Sequence, residues 1–154
     1  MYNDTLATIN QSEFERKVDM NMINEVSNEA LNNERIEIPQ GEYIVAITNM
    51  ELGKTRQNKN ALKVEFTIAD GEYRGRKLYY TQVLTVEYTI KIAVDFLNSL
   101  KTEYTARFTN IDNFGIDVKA IFVNVKDSNE FDLKYHKNDR GFSEYKITGI
   151  YDLQ

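Results

Sequence analysis

Hydrophobic and polar positions alternate along much of the chain after residue 35, and this period of two predicts β-strands with one buried face. The clearest example is segment 61–69, where the even positions from 62 to 68 are apolar and the odd positions between them are polar. A second run begins at Leu78, and Asp70-Gly71 lies between the two. Asp-Gly favours a tight primed turn, because such a turn needs positive φ at its centre. The pattern therefore predicts a β-hairpin with its tip near residues 70–77.

The rest of the pattern predicts a helix among further strands. Thr85 is a candidate N-cap, and apolar residues at helical spacing from Val86 to about Leu100 predict a helix packed on the core. A nearly continuous apolar run is typical of a central strand buried on both faces, and residues 117–125 form such a run. The predicted strands then cover residues 36–50, 61–69, 78–83, 117–125, 131–136 and 143–151.

The N-terminal segment, residues 1–34, differs from the rest in pattern and charge. Ser12-Glu13-Phe14-Glu15 fits a capping box, and apolar residues recur every four positions from Phe14 to Ala30, which predicts an amphipathic helix. Residues 1–42 hold nine acidic and three basic residues, in a chain whose net charge is −5. We interpret this segment as an acidic helical arm, which either packs on the domain formed by residues 35–154 or serves to dock on a partner or to form a dimer.

The order of elements predicts the fold class. Three strands, a helix and two or three further strands is the order of an OB-fold, a small Greek-key barrel. The expected fold is mainly β with helices: an OB-fold-like barrel of five to six strands, with a helix after the third strand and an N-terminal helical arm. A doubly wound parallel sheet is not expected, because strict alternation of strands and helices is absent. An SH3-like barrel and an α+β roll are alternatives.

Composition narrows the function classes. The 154 residues include no cysteine, so disulfides and thiolate metal sites are excluded. No apolar run approaches the ~20 residues that cross a membrane, and the first 30 residues lack a secretory leader, so we expect a cytoplasmic protein without membrane contact. Residues 54–91 hold eight basic and four acidic residues, a positive region in an acidic chain. Because local charge governs contact with phosphates, the net charge does not exclude nucleic acid.

Residues 38–84 carry a series of turn and strand motifs. These are Ile38-Pro39-x-Gly41-Glu42-Tyr43, a Lys54-Thr55 loop ending in Asn58 or Asn60, Asp70-Gly71-Glu72-Tyr73-x-Gly75-Arg76-Lys77, and Leu84-Thr85. In these motifs the chain resembles a family of small phage-encoded proteins, long catalogued as a domain of unknown function, some of which bind single-stranded DNA. The resemblance implies an OB-fold that coats single strands during phage replication or recombination in the host cytoplasm.

Basic residues interleaved with tyrosines favour the same function, since single-strand binders stack bases on aromatic rings and hold phosphates with Lys and Arg. Tyr79 and Tyr80 point to opposite faces of one strand, and because Tyr80 is in phase with Leu78 we expect it to be buried and Tyr79 exposed. The predicted contacts to single-stranded DNA are Lys54, Arg56, Lys59, Lys63, Tyr73, Arg74, Arg76, Lys77, Tyr79, Lys134, Lys137 and Arg140.

An enzyme is the least favoured class, and we expect no catalytic residue, metal or cofactor. The lone His136 cannot build a multi-histidine metal site. Four carboxylates could in principle ligate Mg²⁺, but turn formation explains their positions better: Asp112, Asp117, Asp127 and Glu130. The main alternative to DNA binding is a phage accessory or inhibitor protein that binds a protein partner, such as a nucleic-acid enzyme, through the acidic arm. Three questions stay open at this point. They are whether a replication or recombination protein of phage or host is a partner, whether the protein forms a homo-oligomer, and whether it prefers RNA over DNA.

Overall fold

The computed structural model describes residues 37–153, so the predicted arm at residues 1–34 lies outside the described residues. The chain divides into two units, Met1–Pro39 and Gln40–Gln154, and the fold described below is that of the second unit. In its described part it contains five strands and two helices. In chain order these are β1 (Gly41–Lys54), β2 (Asn60–Ile68), β3 (Lys77–Val83), α1 (Glu87–Ser99), α2 (Ile111–Val125), β4 (Asn129–Lys137) and β5 (Ser143–Asp152).

The five strands form one antiparallel sheet in the order β3-β2-β1-β4-β5. β1 is long enough to pair twice: its first residues, Gly41 to Val45, pair with β4, and Val45 to Lys54 pair with β2. The two edge strands, β3 and β5, approach each other. The Tyr145 hydroxyl of β5 donates a hydrogen bond of 2.9 Å to the Tyr79 carbonyl oxygen of β3. The prediction of a mainly β fold with a helix after the third strand is confirmed. Among the described residues, neither helix has the length and apolar character needed to span a membrane.

The prediction of a strand at residues 117–125 is wrong, because these residues belong to helix α2. Four side chains of this helix are buried at intervals of four, three and four residues, which is the spacing of one helical face. They are Phe114, Val118, Ile121 and Val125. Apolar residues also occur on the outer face, where Ile116 and Val123 are exposed. Apolar residues on both faces of the helix made the sequence pattern continuous, as in a strand buried on both faces, although only one face of the helix is buried.

The start of α2 provides a test of this helix. Asn110 is its N-cap, and the Asn110 Oδ1 accepts a hydrogen bond of 2.8 Å from the backbone N–H of Asn113. We expect Asn110→Ala to lower the free energy of unfolding by about 1 kcal/mol, because it leaves this N–H without its cap. Asn110→Asp is the control and should retain wild-type stability, since a carboxylate caps as well and favours the helix N-terminus. Urea denaturation followed by circular dichroism measures both, and equal stability of the two variants would contradict the assigned helix start.

A register shift in β1 determines which of its side chains are buried. The pairing with β2 is interrupted between Ile47 and Asn49, so that Thr48 is an extra residue. Val45, Ile47 and Met50 are consequently all buried, although strict alternation along the strand would place Met50 on the opposite face from Val45 and Ile47. The Thr48 side chain lies on the opposite, polar surface and hydrogen-bonds to β2 there.

An aromatic cluster connects β2, β3, β5 and α1 in the core. The Phe66 ring of β2 lies 5.7 Å from the ring of Tyr145 and 6.1 Å from that of Phe96, measured between centroids. Tyr80 of β3 packs against the same two rings at 5.3 and 5.1 Å. Because Tyr80 points into this cluster, Tyr79 must point out of the sheet.

Candidate nucleic-acid interface

The outer face of β2 and β3 carries six of the side chains that point away from the core. We call this surface the platform, and its members are Lys63, Glu65, Thr67, Lys77, Tyr79 and Thr81. In the sheet register Tyr79 lies directly opposite Glu65. Tyr79 is 63% exposed whereas Tyr80 is 9% exposed, so the predicted orientation of these two tyrosines is confirmed. The platform thus presents one open aromatic ring among polar side chains.

A hydrogen-bonded network fixes the centre of the platform. The Glu65 Oε2 accepts from the Thr48 hydroxyl at 2.6 Å and from the Lys77 ammonium at 3.1 Å. Thr67 hydrogen-bonds to both of these residues. Its hydroxyl lies 2.8 Å from that of Thr48 and accepts a hydrogen bond of 3.1 Å from the Lys77 ammonium. The bond from Thr48, followed by the bond and charge of Lys77, lowers the pKa of Glu65 despite some burial. Glu65 is therefore ionised at neutral pH, and Lys77, a predicted phosphate contact, is engaged in an ion pair with it.

One end of the platform adjoins the end of β1 and the loop that connects it to β2. We call residues 54–59 the basic loop, because they include Lys54, Arg56 and Lys59. The loop is closed by backbone hydrogen bonds of 2.9 Å from Thr55 N–H to the Lys59 carbonyl and from Asn58 N–H to the Thr55 carbonyl. No acidic residue occurs between residues 53 and 64. A Cβ at Gly53 would lie 3.2 Å from the Lys63 side-chain carbons, so Lys63 extends across Gly53 beside the basic loop.

The connection between β2 and β3, residues 69–76, lies at the other end of the platform. This connection is longer than the predicted tight turn, because it consists of two successive turns. The backbone N–H of Arg74 donates to the Gly71 carbonyl in the first turn, and that of Arg76 donates to the Tyr73 carbonyl in the second. Gly71 has the positive φ expected of it, at 85°. Tyr73 packs edge-on against Tyr43 at 6.3 Å between centroids and is half-buried, so it is a poorer stacking surface than Tyr79.

The loop between β4 and β5 lies at the same end as this connection. β3 and β5 both run parallel to β1, and Tyr145 contacts Tyr79, so the residues that precede the two strands are neighbours. The Asn138 Oδ1 organises the loop by accepting from the backbone N–H groups of Arg140 at 2.9 Å and Phe142 at 3.1 Å. Phe142 is 64% exposed.

The twelve predicted contact residues therefore fall into separate groups. Asn60 and Ile68 are eight residues apart on β2, about 27 Å at the usual rise of a strand, and this length separates the basic loop from the Arg74, Arg76 and Arg140 end. Lys63, Lys77 and Tyr79 lie on the platform between the two ends. Lys134 lies apart from all of them, because it sits within β4, paired with Glu42 and with Lys146. Lys137, at the end of β4, adjoins the loop that carries Arg140, and its backbone N–H donates a hydrogen bond of 2.8 Å to the Gln40 Oε1.

Comparison with known protein families gives a match over most of the described residues. The model of a family described as a protein of unknown function, DUF669, matches residues 23–138, which is well over half of the chain. The chain belongs to the DUF669 family. The match includes β1 to β4 and both helices, and it ends at residue 138, two residues before Arg140. No curated protein matches the chain.

Sequence reasoning missed two features of this interface in the DUF669 protein. Phe142 could have been found by counting back from Tyr145 and Ile147, which face the core, because a residue of opposite parity just before β5 is expected to face outward. The Glu65 network could not have been found in this way. It depends on the register shift at Thr48, which the sequence pattern does not show.

The residues considered for catalysis are dispersed. Asp112 and Asp117 lie on α2, Asp127 lies in the turn after it, and Glu130 lies on β4. Among the described residues no group of three or more histidines or carboxylates is arranged to hold a metal ion. The His136 Nε2 lies 2.9 Å from the Glu144 Oε1 in a cross-strand pair of β4 and β5.

Proposed function

We propose that the five-stranded sheet is a partly open OB-fold barrel. The strand order supports this, because β1 pairs with both β2 and β4 and the edge strands β3 and β5 approach each other in parallel. The position of α1 after β3 supports it as well. In OB-folds the face of the second and third strands and the loops after the first and fourth strands bind nucleic acid, and the platform with its two flanking loops corresponds to that surface.

On this surface we propose that the protein binds single-stranded DNA without requiring a specific sequence. The observation that carries the proposal is the exposed ring of Tyr79 between flanking cations, with an acid-free basic loop at one end. Phosphates would lie along Lys63 and the basic loop, and a base would stack on Tyr79. The motifs shared with phage single-strand binders support the same function and a role in replication or recombination. The proposed function is that of a binding module and not of an enzyme.

Fluorescence anisotropy of labelled oligonucleotides tests this proposal. A mixed-sequence single strand, the RNA of the same sequence and the DNA duplex should be titrated at about 50 and 200 mM salt, because phosphate contacts weaken with salt. Tight, salt-sensitive binding to single strands with weak duplex binding is the expected result. Absence of binding to all three at micromolar protein would overturn the proposal and favour a protein partner instead.

Tyr79→Ala tests the stacking contact. We expect this change to weaken single-strand binding by about 1–3 kcal/mol, because it removes the ring on which a base stacks. Tyr79→Phe should retain most of the affinity, since the ring remains. Tyr88→Ala is the matched control, because Tyr88 is also exposed but lies on α1. Equal affinities of the Tyr79→Ala and Tyr88→Ala proteins in the anisotropy titration would show that Tyr79 is not a contact.

A further inference from the structure

Glu65 is an unexpected residue at the centre of a surface proposed to bind a polyanion. Its side chain is 24% exposed and lies opposite Tyr79, whose ring is the exposed aromatic surface of the platform. A carboxylate at this point repels phosphates, and the cations that could hold phosphates lie on either side of it. A strand bound over Tyr79 must therefore present a base, and not its backbone, to Glu65.

The two oxygens of the Glu65 carboxylate differ in their surroundings. The side-chain hydrogen bonds that it accepts from the described residues, those of Thr48 and Lys77, both end on Oε2. Oε1 is thus left to accept from a ligand. The same two bonds hold the carboxylate in place and lower its pKa, so it acts only as an acceptor at neutral pH.

The register brings Oε1 within reach of a stacked base. Side chains directly opposite each other on neighbouring antiparallel strands have Cβ atoms about 4.5–5.5 Å apart. A base lying flat on the Tyr79 ring would extend its edge over the neighbouring strand, where Glu65 is fixed by Thr48 and Lys77. The base edge and the carboxylate would then meet at hydrogen-bond distance.

We propose that Glu65 Oε1 accepts a hydrogen bond from the exocyclic amino group of the base stacked on Tyr79, so that cytosine and adenine bind this position better than thymine. This inference rests on the proposed single-strand binding. Cytosine N4 and adenine N6 are donors, whereas thymine has a carbonyl oxygen at the equivalent position. The one ring N–H of thymine lies between two carbonyl oxygens, which the carboxylate repels. The result is a bias at one base position within otherwise sequence-tolerant binding.

The test compares oligo-dC with oligo-dT of the same length, since both are pyrimidines and differ at the group that Glu65 would contact. Wild-type protein should bind oligo-dC about tenfold more tightly than oligo-dT. In Glu65→Gln the preference should fall to about twofold or less, because the amide both donates and accepts. Glu51→Gln is the control for loss of one negative charge, since Glu51 is exposed on β1 opposite Lys63. It should strengthen binding to both oligonucleotides equally and leave the preference intact.

Each alternative result has a distinct meaning. If wild-type protein binds both oligonucleotides with equal affinity, and Tyr79→Ala weakens both, single-strand binding stands and the role of Glu65 is overturned. The role is also overturned if Glu65→Gln strengthens binding to both by the same factor, as Glu51→Gln should. If wild-type protein binds neither, the proposed function itself fails. Unfolding curves of Glu65→Gln establish that the loss of preference is measured on folded protein.

Discussion

Replacing Lys54, Arg56 and Lys59 together with alanine should reduce the salt dependence of single-strand binding by about two units in the slope of log K against log[salt]. Each phosphate contact on a single strand contributes about 0.7 to this slope, because each releases condensed counterions. The wild-type protein should accordingly lose about 20-fold more affinity than the variant between about 50 and 200 mM salt. The basic loop is the place for this test because no acidic residue between 53 and 64 offsets its charges.

The control for this triple variant must change the net charge equally without touching the interface. Lys91, Lys119 and Lys126 are exposed lysines of the helical segments, and their joint replacement by alanine removes three charges. This control should keep the wild-type slope and lower affinity only slightly, through the long-range field. Anisotropy titrations at four or more salt concentrations give the slopes. Parallel slopes for the two triple variants would show that phosphates do not contact the basic loop.

Local signals were sufficient to predict the strands and the basic loop. In β2 the alternation of apolar and polar residues is uninterrupted, so both its position and its outward face follow from the sequence. The phase of Leu78 likewise separates Tyr79 from Tyr80. The basic loop consists of consecutive residues between two strands, so its charge is concentrated in any fold that contains them. These predictions required no knowledge of distant contacts.

Tertiary context determines the features that local signals do not show. Residues 117–125 of helix α2 were predicted as a strand because the exposed face of the helix includes apolar residues such as Ile116 and Val123, which hide the helical period. Tyr73 was expected to be a stacking surface, but the long connection after β2 lets it pack against Tyr43. Lys77 was expected to contact phosphate, and the displaced Thr48 helps to place it in a network with Glu65. In each case a partner distant in sequence determines the side chain's environment.

Phe66→Ala should lower the free energy of unfolding by about 3–5 kcal/mol, which is a large part of the 5–15 kcal/mol typical of a domain. Phe66 is completely buried, and its ring contacts those of Phe96 and Tyr145. Its removal leaves a cavity where β2, α1 and β5 meet. Phe66→Leu should cost less than half as much, because most of the volume is kept. Phe142→Ala is the control at an exposed phenylalanine, and it should change stability by about 0.5 kcal/mol or less.

The same variant relates the core to the proposed interface. Phe66 supports Tyr145, whose hydroxyl bonds the Tyr79 carbonyl, and it neighbours Glu65 on β2. We therefore expect Phe66→Ala to weaken single-strand binding even at temperatures where the protein stays folded, because the platform loses part of its rigid support. Urea denaturation gives the stabilities, and anisotropy below the melting temperature gives the affinities. Wild-type affinity in a destabilised Phe66→Ala protein would show that the platform is positioned independently of this cluster, whereas wild-type stability would contradict the burial of Phe66 itself.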